Sequence, residues 1–338
     1  MNQHTRWVIL FTLLTALLLT AAAGASESGP DALIRAVVLY QEDADPDAME
    51  AALSAADGVA VLWRYDSLFP GAAVETSPEG LRTIQSLDGV AGASPARSYA
   101  PASYEAGGED VLSESGLALM GADGLWQEGL TGDGIVIAVL DSGLNTAHEA
   151  FADDSLTLSP AISREDVAAY ATRRGTAGQY ISTRIPFVYD YYHRDSNVST
   201  TNGHGTHVAA LAAGYAKDAD GAARFRGAAP GAQILSMKIF PDNSGSGSDD
   251  AVILRALEDA WNLGADVINI SAGTGAGFSR DEVLDGAYGR AFTLLAAEGV
   301  IVCCSAGNED APSAYKTWTQ PLPTGAYTDY SSVSSPAS

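Results

Sequence analysis

The sequence predicts an α/β protein: a doubly wound, mainly parallel sheet preceded by a small α+β unit. Four near-continuous apolar runs, GIVIAVLD, AQILSMKIF, ADVINISAG and GVIVCCSAGN, alternate with helical stretches beyond residue 117. Parallel strands covered on both faces read this way. Over residues 31–103 the periodicity instead follows the order βαββαβ, the pattern of a ferredoxin-like unit. Between the two, PASYEAGGEDVLSESG at 101–116 is small, acidic and without periodicity, and reads as an exposed linker.

Taken in order, residues 1–25 combine Arg6, an apolar stretch from Trp7, and Ala23 and Ala25 in A-x-A positions. This is the form of a secretory signal peptide cut after Ala25; as a membrane anchor its apolar core is short. In 31–103, RAVVLYQ is a strand and DAMEAALSAA an amphipathic helix, followed by two strand-like runs broken near Pro70 and Gly71. SPEGLRTIQSL starts a helix, with Ser77 as its cap and Pro78 in its first position. GVAGASPARSY supplies the last strand. Residues 104–116 form the linker, and 117–338 the front part of the larger domain, in which HVAALAAGYA, DAVILRALEDAWNLG and EVLDGAYGRAFTLLAAEG have helical periodicity.

The 338 residues suffice for two domains. Forty-two acidic against eighteen basic residues give a net charge of −24, which repels phosphate backbones and anionic lipid heads and argues against a nucleic-acid partner. After signal removal no segment is long and apolar enough to span a bilayer. The two cysteines, Cys303 and Cys304, are adjacent in an apolar run, so they provide no disulfide framework and are expected to pack in the core.

In a doubly wound sheet, reactive groups gather at the carboxyl ends of the strands. Asp141 ends one strand, Ser271, Ala272 and Gly273 follow a second, and Asn308 ends a third, while His204 opens a helix in TNGHGTHVAALAAG. A catalytic histidine needs a carboxylate to set its tautomer and stabilise the imidazolium, and Asp141 suits that task. Gly203 and Gly205 allow a tight turn and leave room beside the ring. The side-chain amide of Asn308 can donate to a developing oxyanion.

IVIAVLDSGLNTAHEAF, NGHGTHVAALAAG, ADVINISAG and VCCSAGNED, in this order over 117–338, resemble the successive blocks of the subtilisin-like serine proteases. Finer features, STRIPFVYDYYHRDSN, SMKIFPDNSGSGSDDAVILRALEDAWNLGADVIN and TDYSSVSSPAS, are most similar to the lactocepin-type cell-envelope proteinases. The resemblance implies a secreted endopeptidase made as an inactive precursor, with Asp141 as triad acid, His204 as general base, Asn308 as oxyanion donor and Ser271 to Gly273 as the edge that pairs with the substrate backbone. It implies that residues 31–103 are a propeptide that inhibits the active site, that 104–116 is the maturation region, and that wall attachment would come from regions beyond these residues. Two departures stand out. Ala150 occupies the place where many subtilisins have an acidic calcium ligand, so a structural calcium ion is unsupported, and the chemistry itself requires no cofactor. No G-T-S-M-A-x-P turn occurs before Ser338, so the nucleophile is expected beyond it and these residues alone are expected to be inactive.

Other readings weigh less. A metal site of His207 with His204 and Asp141 is a second reading, but no Glu-bearing zincin pattern accompanies them. Asp218 and Asp220 read as a solvated acidic loop before a calcium site. Ser271 lacks the G-x-S-x-G elbow of a nucleophile. If the chain ended naturally at 338, a non-catalytic inhibitor or binding module would be the alternative.

Overall fold

The computed structural model describes residues 32–101, 112–242, 247–273 and 281–306. Residues 1–31, with the expected signal peptide, residues 102–111 of the expected linker, Asn308 and TDYSSVSSPAS lie outside the described residues.

The first unit runs β1 (Ile34–Tyr40), α1 (Pro46–Ala55), β2 (Val59–Tyr65), β3 (Gly71–Thr76), α2 (Pro78–Gln85) and β4 (Val90–Pro95). Its sheet has the order β2-β3-β1-β4 with every neighbour antiparallel. Both helices begin on a side-chain cap followed by proline: Asp45 accepts the Asp47 N–H at 3.0 Å and Ser77 Oγ the Gly80 N–H at 3.1 Å. The two-residue period of β1 divides it between two cores. Ala36, Val38 and Tyr40 pack under α1 and α2 with Met49, Leu53, Leu81 and Ile84. Val37 and Leu39 face the other way and join the core of the larger domain.

β5 (Ser98–Pro101) leaves that sheet. α3 (Leu112–Leu119) and α4 (Ala122–Gln127) follow. Residues 112–116, read from sequence as linker, are thus the start of a helix. The apolar spacing that signals it lies at its far end, where Leu117 is buried.

The larger domain then runs β6 (Val136–Asp141), α5 (Arg164–Arg174), β7 (Phe187–Asp190), α6 (His204–Ala213), β8 (Tyr215–Lys217), β9 (Ala223–Arg226), β10 (Gln233–Lys238), β11 (Ser248–Asp249), α7 (Asp250–Asn262), β12 (Val267–Ile270), β13 (Ala272–Gly273), α8 (Glu282–Ala297) and β14 (Ile301–Cys304). Its sheet has the order β14-β12-β6-β10-β7 and is parallel throughout. Ala209, Ala210 and Ala213 of α6 cover one face with Ile137, Val139 and Ile234. Residues of α7 and α8 cover the other with Val136, Ala138, Leu140, Ile268 and Ile270. Helices on both faces of a parallel sheet explain the unbroken apolar runs, and the strand order reverses at β6. β7 was not among the expected strands, because four residues at a sheet edge are too short for a periodicity to register.

The cysteines differ from expectation: Cys303 is exposed and Cys304 half-buried. β14 is an edge strand among the described residues, and its alternate side chains face opposite sides. Val302 and Cys304 lie against the main core, while Ile301 and Cys303 point away from it. Burial pushes the Cys304 thiol up to about 11.

Candidate functional site

β6 is buried along its whole length, which forces its terminal carboxylate to find partners within the protein. Asp141 is 1% exposed and accepts the Ser142 N–H at 2.6 Å. His204, 8% exposed, brings Nδ1 to 2.8 and 2.9 Å from the two oxygens of the same carboxylate, across 63 residues of sequence. The helix that presents the ring is held at its start. Asn202 Oδ1 accepts the His204 N–H at 3.0 Å, Ser142 Oγ accepts the Gly205 N–H at 3.1 Å, and Thr206 Oγ1 accepts the Asn145 N–H at 2.9 Å. Gly205 is needed for close approach: a Cβ there would run into the Gly143 carbonyl and stand 3.0 Å from Asp141 Oδ1.

With Nδ1 held by Asp141, Nε2 is the ring atom left to exchange a proton with a reacting group. The hydrogen bond to Asp141 raises the His204 pKa above its ordinary value, against the opposing effect of burial. His207 moves the other way, through burial first and then the neighbouring His204 charge. A cavity of about 790 Å³ adjoins this helix face, lined among others by Asn145, His148, Thr206, His207 and Arg224.

Ala272 and Gly273 form β13, which pairs antiparallel with Pro101 and Ala100 of β5. The other edge of β5 pairs with β11, Tyr99 opposite Ser248 and Ser98 opposite Asp249. A strand from the N-terminal part of the chain therefore lies between two edges of the larger domain. Ser271 donates its N–H to the Leu140 carbonyl at 3.2 Å, which brings this strand to the same rim as Asp141. Its hydroxyl accepts from Asn269 Nδ2 at 2.7 Å. Asn308 is outside the described residues.

Several buried polar residues were not singled out from the sequence. Lys238, fully buried at the end of β10, is paired in register with both Asp141 and Asp190. Its Nζ lies 2.9 Å from Asp190 Oδ2 and 2.5 Å from Asp242 Oδ1. Burial works against its charge, but the Asp242 and Asp190 carboxylates outweigh it and the pKa is raised. Within AQILSMKIF it was read only as part of an apolar strand; a charge inside such a run is the one available signal. Asp250 and Glu258, both 0% exposed on α7, hold the N-terminal unit. Asp250 takes the Arg97 N–H at 2.6 Å and the Tyr99 hydroxyl at 2.6 Å, with Arg97 Nε at 3.2 Å. Glu258 Oε1 takes the N–H groups of Asp66 and Ser67 at 2.8 and 2.9 Å. Burial raises the pKa of both carboxyls, opposed by Arg97 for Asp250 and by the two N–H groups for Glu258.

Among the described residues no three His, Cys, Asp or Glu side chains gather into a group that could hold a metal. Ala150 is buried, and Glu149 beside it pairs with Arg224. Asp218 Oδ1 accepts the N–H groups of Asp220 and Ala222, both at 2.9 Å, closing the turn between β8 and β9. No helix of the described residues is long and apolar enough to cross a membrane.

The C5a peptidase of Streptococcus pyogenes serotype M6 is 33% identical over 208 residues, 61% of this chain but 17% of that protein. The PII-type proteinase of Lactococcus lactis subsp. cremoris is 32% identical over 154 residues, 43% of this chain and 8% of that protein. The chain thus spans less than a fifth of the length of these relatives. The crystal structure of fervidolysin from Fervidobacterium pennivorans, a keratinolytic enzyme related to subtilisin, superposes with a TM-score of 0.57 at 21% identity, over 86% of this chain and 42% of that one, a likeness of fold. Residues 132–337, more than half of the chain, match the Subtilase family of peptidases, and the chain belongs to that family.

Proposed function

We propose that the full-length protein is a secreted serine endopeptidase. Its nucleophile is the serine of a G-T-S-M-A-x-P turn, a motif that residues 1–338 do not contain. As the serine oxygen bonds to the peptide carbonyl carbon, its proton passes to His204 Nε2; His204 then gives that proton to the leaving amine, and water repeats the sequence to free the acid. Asp141 keeps the ring in the tautomer that makes this possible, the Asn308 amide donates to the oxyanion, and the 271–273 edge pairs with the substrate backbone. The observation that carries the reading is the buried Asp141–His204 contact at 2.8 Å beside a strand edge already occupied by an extended segment. The reaction draws on no cofactor.

In this reading residues 31–103 are a ferredoxin-like propeptide that inhibits its own enzyme by laying β5 along that edge, and 104–116 is where the chain is cut on maturation. Protein or peptide substrates are supported by the relatives, which are named as peptidases and proteinases, and a location outside the cell by the signal-peptide form of residues 1–25. Labelling of the secreted full-length protein by a fluorophosphonate, lost in His204→Ala and insensitive to chelators, tests the mechanism. A protein that is unlabelled and cleaves nothing would leave the inhibitor or binding-module reading in its place. N-terminal sequencing tests the maturation: a mature protein still beginning near Ser26 would refute it.

A further inference from the structure

The strand β5 is read by its surroundings one side chain at a time. Ser98 and Ala100 are exposed, whereas Tyr99 between them is 1% exposed. Its backbone lies close against the enzyme, since a Cβ at Gly247 would overlap the Tyr99 carbonyl. The tyrosine ring joins the main core, and its hydroxyl meets a carboxylate with no exposed surface: Tyr99 Oη donates to Asp250 Oδ1 at 2.6 Å. Tyr288, 5% exposed, is the neighbouring ring, with the Arg97 guanidinium 5.9 Å from its centroid. Arg97, two residues before Tyr99, reaches Asp250 and, through Nη1 at 3.0 Å, Asp285.

Resting on the protease reading above, we propose that Asp250 is a specificity-determining residue: at the place filled by Tyr99 it makes the enzyme select peptides with tyrosine over phenylalanine, preferably with a basic residue two places earlier. A substrate strand seated between β11 and β13 presents the same alternation as β5, so one side chain in this stretch goes inward. An apolar side chain of the same size would fill the space but leave the Asp250 carboxylate short of a donor. A site built around a buried acceptor rejects the analogue that lacks the donor. Because any substrate still offers the backbone N–H that Arg97 supplies here, the discrimination falls in the range of about 10- to 100-fold.

The test uses the matured full-length enzyme and quenched fluorescent peptides carrying residues 96–105, Ala-Arg-Ser-Tyr-Ala-Pro-Ala-Ser-Tyr-Glu, with tyrosine or phenylalanine at the place of Tyr99. The cut bond is identified by mass spectrometry. For cleavage at the same bond, kcat/KM is expected to be at least about 10-fold higher for tyrosine. Asp250→Leu is expected to reverse the order, and the wild-type comparison stands even where that variant fails to fold. Equal cleavage of the two peptides by the wild-type enzyme overturns the proposal. If neither peptide nor casein is cut and a fluorophosphonate does not label the protein, the protease reading itself fails and the inference falls with it.

Discussion

Asp141 and Asp250 are both buried aspartates at the ends of regular elements, one closing β6 and the other opening α7. Asp141 is served within its own domain by a histidine and an N–H group. Asp250 is served by Arg97 and Tyr99, from a unit about 150 residues earlier in the chain. A buried carboxylate must be supplied with donors, and what supplies them decides its role. In the proposed protease, a titratable imidazole makes Asp141 the group that orients the proton-transferring His204. A phenol and a guanidinium on the proposed propeptide strand make Asp250 the reader of the strand that lies in the cleft.

The sharpest way to break this contrast is to remove the imidazole. In the full-length protein, His204→Ala is expected to lower kcat on a protein substrate by roughly 10⁶-fold, a scale taken over from subtilisin, a member of the same family. A variant retaining a tenth of the wild-type rate would sink the relay. Asp141→Asn should lower kcat by about 10⁴-fold, again on that scale. It also sharpens the comparison through pH. Activity requires neutral His204, so kcat/KM rises with pH through the His204 pKa, which Asp141 holds up. With that hydrogen bond weakened, burial is the remaining influence and the acid limb should move to lower pH; a pH–rate profile whose acid limb stays in place would deny Asp141 this role.

For the second aspartate the expected effects are smaller. Arg97→Met, made in an inactive His204→Ala background, removes a guanidinium that is 27% exposed from a carboxylate that is fully buried. Roughly 2 kcal/mol of the attachment of the N-terminal unit should be lost, less than for a wholly buried pair because water reaches the arginine. Faster hydrogen–deuterium exchange in β5 would show it, and unchanged protection there would argue that the backbone ladder alone holds the strand. Smallest is Gly205→Ala, whose added methyl meets the Gly143 carbonyl and Asp141. About 1–2 kcal/mol of stability should go, seen as a lower Tm, with a further loss of rate as the helix carrying His204 shifts. A neutral Tm would mean that this contact relaxes freely.

The two aspartates also divide what could be read in advance. Asp141 and His204 were legible because each stands at a punctuated place, a strand end before Ser-Gly and a helix start between glycines, inside runs whose periodicity names their element. The parallel sheet was legible because burial on both faces leaves unbroken apolar runs. Asp250 was not, since DDAVILRALEDAWN reads as an ordinary acidic helix start, for which exposure is the usual outcome. Its donors are Arg97 and Tyr99, about 150 residues earlier in the chain, and no local pattern around Asp250 names them.

The sequence by itself determined the long apolar strands and the helices between them, the helix cap at Ser77, the acidic charge and the motif positions of Asp141 and His204, because each is written within a short stretch of the chain. Only the tertiary structure decided the rest. It set β5 between β11 and β13, put Lys238 between Asp190 and Asp242, and brought Tyr99 to Asp250. Those pairings follow from strand order and from which faces come together. Local periodicity states that a side chain is to be buried, but not what it will be buried against.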